Sequence, residues 1–220
     1  MRPVQLDGRL LFPDPRQFPA HFLGSEPVAM GGDFSIKRLM LAYRNGIFPW
    51  TAQPIGWWSP DPRGVIFPRK FHVARSLART LRQKPYTVTV DRAFDQVVSG
   101  CASASRPGRW ITPEFIEAYG RLHRAGHAHS VECWRGDDVV GGIYGVAVGG
   151  IFCGESMFRT ADNASKIALA GLMELLVAKG FELLDTQMVT ETTLQFGATE
   201  IPRSEYLTIL DAVKDHQPVW

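Results

Sequence analysis

The segment VGGIYGVAVGGIFCGESMF, Val140 to Phe158, decides the fold of this chain. Small and apolar residues alternate over two runs, and Gly149-Gly150 between them can supply the positive φ angles of a tight turn. The segment therefore predicts a hairpin of two adjacent antiparallel strands. The second run ends in Gly-Glu-Ser, where the Glu155 carboxylate is costly to bury unless it is exposed or meets a cation such as a substrate amine. A glutamate that only caps a loop is the alternative.

The sequence around this hairpin predicts an alternation of strands and helices. The expected elements are a strand at Val65 to Phe67, a basic helix at Ala74 to Gln83, a half-buried strand at Tyr86 to Val90, a helix capped by Asp91, a helix from Thr112 to Gly126, a strand at Ala128 to Trp134, a helix from Asn163 or Ser165 to Gly180, a strand at Leu183 to Met188 and a helix at Arg203 to Val213. A mixed sheet with a central hairpin, then helix, strand and helix, is the order of the acetyltransferase-type fold. The loop that would bind coenzyme A in that fold contains no glycine here but does contain Asp162, so we expect no coenzyme A and no other cofactor.

The first 62 residues differ in character from the rest. They are rich in proline and aromatic residues, with one helix expected from Asp33 or Ser35 through Tyr43. Trp50, Trp57 and Trp58 either fill the joint between two domains or form a stacking surface for a base. Because Ser59-Pro60-Asp61-Pro62 cannot continue a helix or a central strand, we predict a small N-terminal domain over residues 1–62. An α/β (α+β) domain of the acetyltransferase (GNAT) type is expected over residues 63–220.

The composition is that of a globular protein. Of the 220 residues 45% are hydrophobic and 21% are charged, and the net charge is +2. The sequence contains no apolar run long enough to span a membrane and no secretion leader at its start, and its three cysteines lack paired spacing. We therefore expect a cytoplasmic protein, a monomer, with reduced thiols and without a disulfide framework, a zinc site or a membrane partner.

Positive charge is concentrated in one segment. From Arg63 to Val90 the chain carries seven basic residues and no acidic residue, and Arg75, Arg79 and Arg82 fall on one face of the expected helix, followed by Lys84. Such a stripe suits a phosphate backbone, whereas a solvated helix face is the simpler alternative.

Three polar residues are candidates for chemistry. Asp185 and Gln187 lie two apart on an expected interior strand, so both should project from one face and be partly buried. If Glu155 lies across the sheet from them, the three side chains converge in an apolar pocket; a polar network that only fixes strand register is the alternative. His127 and His129 share a strand face but have no further ligand at metal-binding spacing, so we expect no metal site. Neither a Gly-x-Ser-x-Gly elbow nor a P-loop is present.

Blocks along nearly the whole chain resemble the leucyl/phenylalanyl-tRNA protein transferase family. They are Gly31-Gly32-Asp33, Tyr43 with Gly46-Ile47-Phe48-Pro49-Trp50, Trp57-Trp58-Ser59-Pro60-Asp61-Pro62-Arg63, Trp110-Ile111-Thr112, Arg121-Leu122-His123 through Ser130, Gly154-Glu155-Ser156-Met157-Phe158, Ala164-Ser165-Lys166 and Asp185-x-Gln187. The family pattern His-Leu-x-Ser-Leu-Gly-Ala is replaced here by Thr192-Thr193-Leu194-Gln195-Phe196-Gly197-Ala198, which puts the choice of acceptor in question but not the fold.

The resemblance implies transfer of Leu or Phe, and less well Met, from Leu-tRNA or Phe-tRNA to proteins with N-terminal Arg or Lys, in the bacterial N-degron pathway of protein degradation. It implies that the tRNA 3′ adenosine and the acceptor lie among Tyr43, Trp50, Trp110 and Tyr119. The transferred side chain would lie among Ile143, Phe152, Met157 and Leu169. Glu155 would meet the polar end of the substrate, Asp185 and Gln187 would form the reacting pair, and the tRNA acceptor stem would lie on Arg75, Arg79, Arg82 and Lys84.

The chemistry requires little of the enzyme because an aminoacyl ester is already activated. Our hypothesis is that the Gln187 carbonyl, polarised by Asp185, accepts a hydrogen bond from the attacking amine; the rival is that Asp185 grips the cationic side chain of the acceptor. Two other classes of function remain open at this point. One is an acyltransferase acting on a small molecule or a cell-wall precursor, and the other is a non-catalytic RNA-binding module.

Overall fold

The computed structural model describes residues 2–20, 26–104, 110–216 and 220, which form two β-sheets with flanking helices. The smaller sheet contains β1 (Val4–Leu6), β2 (Ala29–Gly31), β3 (Phe48–Ala52) and β4 (Ile55–Trp58), in the order β1-β2-β4-β3, and α1 (Ile36–Arg44) connects β2 to β3. The Ser35 hydroxyl accepts a hydrogen bond from the backbone N–H of Arg38 and so caps α1. Trp57 is fully buried and its indole N–H donates to the Gly31 carbonyl.

The larger sheet has seven strands in the order β11-β5-β10-β9-β8-β7-β6. Its strands are β5 (Arg63–Ile66), β6 (Thr87–Val90), β7 (Ala128–Arg135), β8 (Asp138–Val148), β9 (Ile151–Arg159), β10 (Leu183–Gln187) and β11 (Thr199–Ile201). The helices are α2 (Arg75–Gln83), α3 (Phe94–Ser103), α4 (Pro113–Arg124), α5 (Ala164–Ala178), α6 (Glu191–Leu194) and α7 (Arg203–Val213). Only β9 and β10 pair in parallel within the described part of this sheet, because α5 carries the chain across one face of the sheet between them.

Hydrophobic side chains bury both faces of this sheet. One face packs with α5 and α2, whereas the other packs with α3, α4, α7 and the smaller sheet. Leu183 belongs to the second core and its neighbour Leu184 to the first, as the alternation of side chains along a strand requires. The strand that carries Asp185 is therefore interior, which confirms the sequence prediction.

The fold class is confirmed, as are the hairpin of β8 and β9 and the span of the last helix. Two local predictions are wrong. Asp91 does not cap α3; its carboxylate is held instead by the Ser130 backbone N–H and the indole N–H of Trp220, and it contacts the His129 ring. Strand β6 is a largely exposed edge strand rather than a half-buried one. The domain boundary after residue 62 stays a prediction.

Within the described ranges, none of the helices combines the length and the apolar character that crossing a membrane demands.

Candidate active site

A cavity of about 360 Å³ is lined by residues of the smaller sheet, of the larger sheet and of α5. Its apolar wall is formed by Ile66, Ile143, Met157, Leu169 and Leu184. Three aromatic residues stand beside this wall: Phe48, Trp50 and Trp110. The polar side chains on the cavity are Glu155, Ser156, Thr186, Gln187, Thr190 and Thr193. A concave, mostly apolar space with a few convergent polar groups is the usual form of a small-molecule site.

The cavity exists because two neighbouring strands become irregular at the same level. The parallel pairing of β9 with β10 ends at the pair Asp185 and Cys153. Beyond that pair, β9 shifts register against β8, so that Glu155 is an extra residue between Gly154 and Ser156. On β10 the pairing with β5 shifts between Asp185 and Gln187. Bulges redirect side chains and occur often beside active sites. Here the bulge on β9 presents Glu155 to the cavity, and the one on β10 presents Thr186 and Gln187.

Gln187 reaches the cavity through its backbone conformation. Its φ is +58°, in the left-handed region that non-glycine residues seldom adopt. In a regular strand, Gln187 would share the face of Asp185, while Leu184 and Thr186 would share the opposite face with the cavity. The departure at Gln187 instead places its side chain on the cavity wall. The expectation that Asp185 and Gln187 line one pocket together is therefore wrong.

Asp185 lies behind the cavity wall in a closed cluster and is fully buried. Its two carboxylate oxygens accept hydrogen bonds from the Arg63 guanidinium, Nε to Oδ1 at 2.9 Å and Nη2 to Oδ2 at 2.6 Å. The Tyr206 hydroxyl and the Gln187 backbone N–H each donate to it at 2.9 Å. Burial is the largest single influence on the pKa of Arg63 and lowers it, but the charge of Asp185, the charge of Tyr206 and the hydrogen bonds to Asp185 together outweigh burial and raise this pKa. The two side chains thus form a buried ion pair, and Asp185 also holds the backbone N–H of Gln187.

Glu155 has different partners. Its Oε1 accepts a hydrogen bond from the Tyr43 hydroxyl and its Oε2 accepts one from the Tyr119 hydroxyl, both at 2.8 Å. Burial raises the pKa of Glu155 and the two tyrosine hydrogen bonds lower it, and the net result is a pKa of about 7. Burial and the neighbouring Glu155 also raise the pKa of both tyrosines well above its ordinary value, so these side chains keep their protons.

The structure brings together most of the candidate residues. Glu155, Gln187, Trp50, Trp110, Ile143, Met157 and Leu169 all line the cavity. Tyr43 and Tyr119 do not; they lie fully buried beneath Glu155. Phe152 is also absent from the wall, because it is buried and stacks on Trp220 with ring centroids 5.1 Å apart. Of the three tryptophans, only Trp50 reaches the cavity, while Trp57 and Trp58 belong to the core.

Several lining residues were not anticipated from the sequence. Ile66 and Leu184 complete the apolar wall, and the alternation along β10 could have identified Leu184 as the neighbour of Asp185 on the opposite face. Thr186 also lines the cavity; within the described ranges its hydroxyl is buried without a hydrogen-bond partner. No local sequence signal points to Ile66.

The altered block at residues 192–198 lies at the rim of the cavity. It contributes to α6, whose first turn is closed by reciprocal hydrogen bonds between Thr190 and Thr193. Thr193 stands where the family pattern has Leu, and it lines the cavity. The replacement therefore changes a wall residue from apolar to polar, whereas Phe196 and Ala198 remain buried.

The basic stripe forms as predicted on the exposed face of α2. Arg75, Arg79 and Arg82 are exposed, while Leu77 on the opposite side of the helix is buried. Lys84 ends the helix in a left-handed conformation and is also exposed. Among the described residues, none of these four cations forms an ion pair with a carboxylate.

The histidines do not form a metal centre in the part of the chain that the structure describes. No group of three or more His, Cys, Asp and Glu side chains there is arranged to hold a metal ion. His129 is held by Asp91, with Nδ1 2.7 Å from the Asp91 carboxylate, and its ring stacks on Trp220. His127 is half-buried, and burial lowers its pKa.

Comparison with known proteins gives matches over almost the whole chain. Residues 65–211 match the family model for leucyl/phenylalanyl-tRNA protein transferase, and residues 32–61 match the model for the N-terminal domain of that enzyme. A transferase of that name from Shigella dysenteriae serotype 1 (strain Sd197) is 49% identical over 217 residues, which cover 97% of this chain and 92% of the relative. The one from Escherichia coli (strain K12 / DH10B) is 48% identical with the same coverage. Among solved structures, L-PGS from Bacillus licheniformis aligns with a TM-score of 0.41 and 12% identity over 66% of this chain and 48% of its own, a likeness too low to carry any argument.

Proposed function

Because the chain belongs to the leucyl/phenylalanyl-tRNA protein transferase family, it is an aminoacyltransferase, and we propose that it moves Leu or Phe, and less well Met, from aminoacyl-tRNA to the N-terminal Arg or Lys of acceptor proteins. This transfer marks the acceptors for degradation in the N-degron pathway. The observation that carries the proposal is the cavity, whose apolar wall ends at two polar side chains, Glu155 and Gln187. An apolar amino acid esterified to tRNA needs such a wall for its side chain and such groups for its reacting end.

The donor amino acid occupies the apolar part of the cavity. Ile66, Ile143, Leu169 and Leu184 are all branched, whereas Met157 is unbranched and can adapt its shape. This combination supports acceptance of both a branched aliphatic side chain and a flat aromatic one. Trp50 and Trp110 stand beside this wall and offer aromatic faces for the terminal adenosine of the tRNA. Thr193 at the rim faces the acceptor.

The chemical step is aminolysis of an ester. The α-amine of the acceptor attacks the ester carbonyl, and the Gln187 side-chain carbonyl accepts a hydrogen bond from that amine and orients it. Asp185 acts through Gln187, because it holds the backbone N–H of Gln187 and has no surface on the cavity. The rival role for Asp185, binding the cationic side chain of the acceptor, has less support because its carboxylate already pairs with Arg63 and is fully buried.

The tRNA acceptor stem lies against the stripe of Arg75, Arg79, Arg82 and Lys84. These cations are exposed and have no carboxylate partner within the described residues, so they are available for phosphate oxygens. The tRNA then binds by its backbone, without readout of its bases. We place this enzyme in the cytoplasm, since its three cysteines are free and buried, as suits a reducing compartment. We further propose that it acts as a monomer.

The decisive experiment uses radiolabelled Leu-tRNA and two peptides that differ only in their first residue, Arg in one and Ala in the other. We expect label in the Arg peptide and none in the Ala peptide. Label in both peptides would contradict the proposed choice of N-terminal Arg or Lys as the acceptor. This outcome is the most informative one, because the cavity rim is altered at Thr193. Transfer to a small molecule only would favour the broader acyltransferase function, and tRNA binding without transfer would favour an RNA-binding module.

A further inference from the structure

Three oxygen contacts connect Glu155, Tyr43 and Tyr119 in a closed ring. Each tyrosine hydroxyl lies 2.8 Å from one oxygen of the Glu155 carboxyl group. The two hydroxyl oxygens also lie 2.8 Å from each other. All three separations are hydrogen-bond lengths between oxygen atoms. The ring joins the smaller sheet to the larger one. Tyr43 is on α1, which connects two strands of the smaller sheet, whereas Glu155 is on β9 of the larger sheet and Tyr119 is on α4, which packs against the larger sheet.

A count of protons distinguishes the two states of this ring. Each phenol supplies one proton, so an ionised Glu155 leaves two protons for three contacts and forces two lone pairs against each other. A protonated Glu155 supplies the third proton, and every oxygen in the ring can then take part in a hydrogen bond. From this geometry we infer that Glu155 holds a proton in the resting enzyme, and that this proton is the one delivered to the 3′-oxygen of the tRNA when the ester bond breaks.

The groups that face Glu155 agree with this state. Burial is the largest influence and raises the pKa of Glu155; Tyr119 and Tyr43 lower it, the charge of Asp185 raises it and the charge of Arg63 lowers it. The remaining titratable neighbours, Cys153 beside Glu155 and Tyr144 beside Tyr119, lie in the same buried region. Together these influences place the pKa of Glu155 at about 7, so its proton can leave and return at neutral pH.

The reaction needs one such proton. When the amine attacks, a C–N bond forms and the carbonyl electron pair moves to oxygen; when the intermediate collapses, that pair returns and the bond between the carbonyl carbon and the 3′-oxygen breaks. The nitrogen must lose a proton and the departing 3′-oxygen must gain one. Glu155 donates its proton to the 3′-oxygen and then takes the proton from nitrogen, so that amide and alcohol are formed and Glu155 ends in its starting state. This delivery step rests on the proposed function, whereas the resting protonation does not.

Among the described residues that line the cavity, Glu155 alone has a side chain that ionises near neutral pH. The amide of Gln187 can accept a hydrogen bond but cannot hold the proton, and Asp185 is outside the cavity. The proton delivery therefore falls to Glu155.

The resting state is tested by carbon NMR on wild-type protein labelled with ¹³C at glutamate side chains. Assigned through bonds, and checked by its absence in Glu155→Gln, the Glu155 carboxyl carbon should titrate with a midpoint near 7. A midpoint near the ordinary glutamate value of about 4.3 would overturn the resting protonation. The titration needs neither tRNA nor activity, so its result stands even if the proposed function fails.

The delivery step is tested by the kinetics of Glu155→Gln. The amide keeps one donor and one acceptor for the two tyrosines but cannot give up a proton, so we expect kcat to fall by about 10²-fold to 10⁴-fold while KM for aminoacyl-tRNA stays within about twofold. The high-pH decline of kcat expected for wild type should disappear. Glu182→Gln, which changes an exposed glutamate outside the cavity, should alter none of these values. A raised KM with kcat preserved would instead mean that Glu155 only binds substrate, and would refute the delivery.

Discussion

Asp185 and Glu155 are two carboxylates at the points where β10 and β9 become irregular, yet Asp185 is fully buried behind the cavity wall, Glu155 lines the cavity, and their partners differ. Asp185 pairs with a guanidinium and accepts hydrogen bonds from Arg63, Tyr206 and Gln187. Glu155 is hydrogen-bonded to two phenols and has no cation in direct contact within the described residues. Without a neighbouring counter-charge, burial raises the pKa of the Glu155 carboxyl group to about 7. The two carboxylates therefore differ both in exposure to the cavity and in whether a cation neutralises their charge.

The largest effect on stability is expected from Asp185→Asn. This change leaves the Arg63 guanidinium buried without its counter-charge, and loss of one partner of a buried ion pair costs roughly 3 to 5 kcal/mol. The free energy of unfolding should be measured in urea. The matched control is Asp211→Asn, which removes an exposed carboxylate from its pairs with Arg16 and Lys214 and should cost less than about 1 kcal/mol. Equal losses of unfolding free energy in Asp185→Asn and Asp211→Asn would mean that the buried ion pair of Asp185 stabilises the fold no more than an exposed one.

The next effect has the opposite sign and concerns Glu155→Gln. The folded-state pKa of Glu155 is raised to about 7, so its contribution to stability is fully present below the unfolded pKa and is lost as pH rises through 7. The variant and wild type should therefore unfold with equal free energy near pH 4. At pH 9 the variant should be more stable by about 3 to 4 kcal/mol, the equivalent of raising the pKa of Glu155 from its ordinary value to about 7.

The difference between the two unfolding curves is the quantity to measure, because it removes the contributions of other titrating groups. A variant that is less stable than wild type at pH 9 would show that ionised Glu155 is stabilising in the folded state.

A smaller effect is expected at the backbone contact that supports Gln187. Gly64 on β5 lies so close to the end of β10 that an added Cβ would be 2.3 Å from the Met188 carbonyl carbon. Gly64→Ala should therefore displace Met188 and Gln187, with a loss of roughly 1 to 3 kcal/mol from overpacking. Because a displacement of about 1 Å can cost 10²-fold in rate, kcat should fall more than stability alone suggests.

The control for this change is Gly180→Ala. Gly180 has a φ of +75° but open space around its Cβ position, so strain without a clash should leave kcat unchanged. If Gly64→Ala kept the wild-type kcat, the position of Gln187 would not matter for the reaction.

The sequence predicts the scaffold of the site better than the site itself. The hairpin of β8 and β9 follows from alternation and from Gly149-Gly150, and the interior position of β10 follows from the apolar pair Leu183-Leu184. These inferences succeed because each depends on residues close together in the chain. The fold class could therefore be predicted before any coordinates were known.

The predictions that fail depend on irregular backbone or on distant residues. The rule that side chains alternate assumes a regular strand, and it fails at Gln187, where φ is +58°. The family resemblance implies that Phe152 lines the cavity, yet it is covered by Trp220, which is distant in sequence and gives no local signal. Likewise, no spacing rule pairs Asp185 with Arg63 or places two phenols against Glu155. Long-range partners of this kind determine the electrostatics of the site.

The smallest effect on stability is expected from the exposed charges of α2, which contrast with both buried carboxylates. Replacing Arg75, Arg79 and Arg82 by Ala should change the free energy of unfolding by less than about 0.5 kcal/mol, because these side chains are exposed and form no ion pair in the described chain. Their effect should appear in tRNA binding instead. Each phosphate contact contributes roughly 0.7 to 0.9 to the slope of log affinity against log salt, so the triple variant should flatten that slope by about 2.

A control triple at Arg2, Lys37 and Arg124, which are exposed on other parts of the chain, removes the same charge but should leave the slope unchanged. Equal slopes in the two triple variants would mean that net charge, rather than the stripe on α2, attracts the tRNA. A flatter slope in the α2 triple variant alone would instead show that these surface cations set the affinity for the nucleic acid without contributing to the fold. The buried Arg63, by contrast, contributes to the fold without touching the nucleic acid.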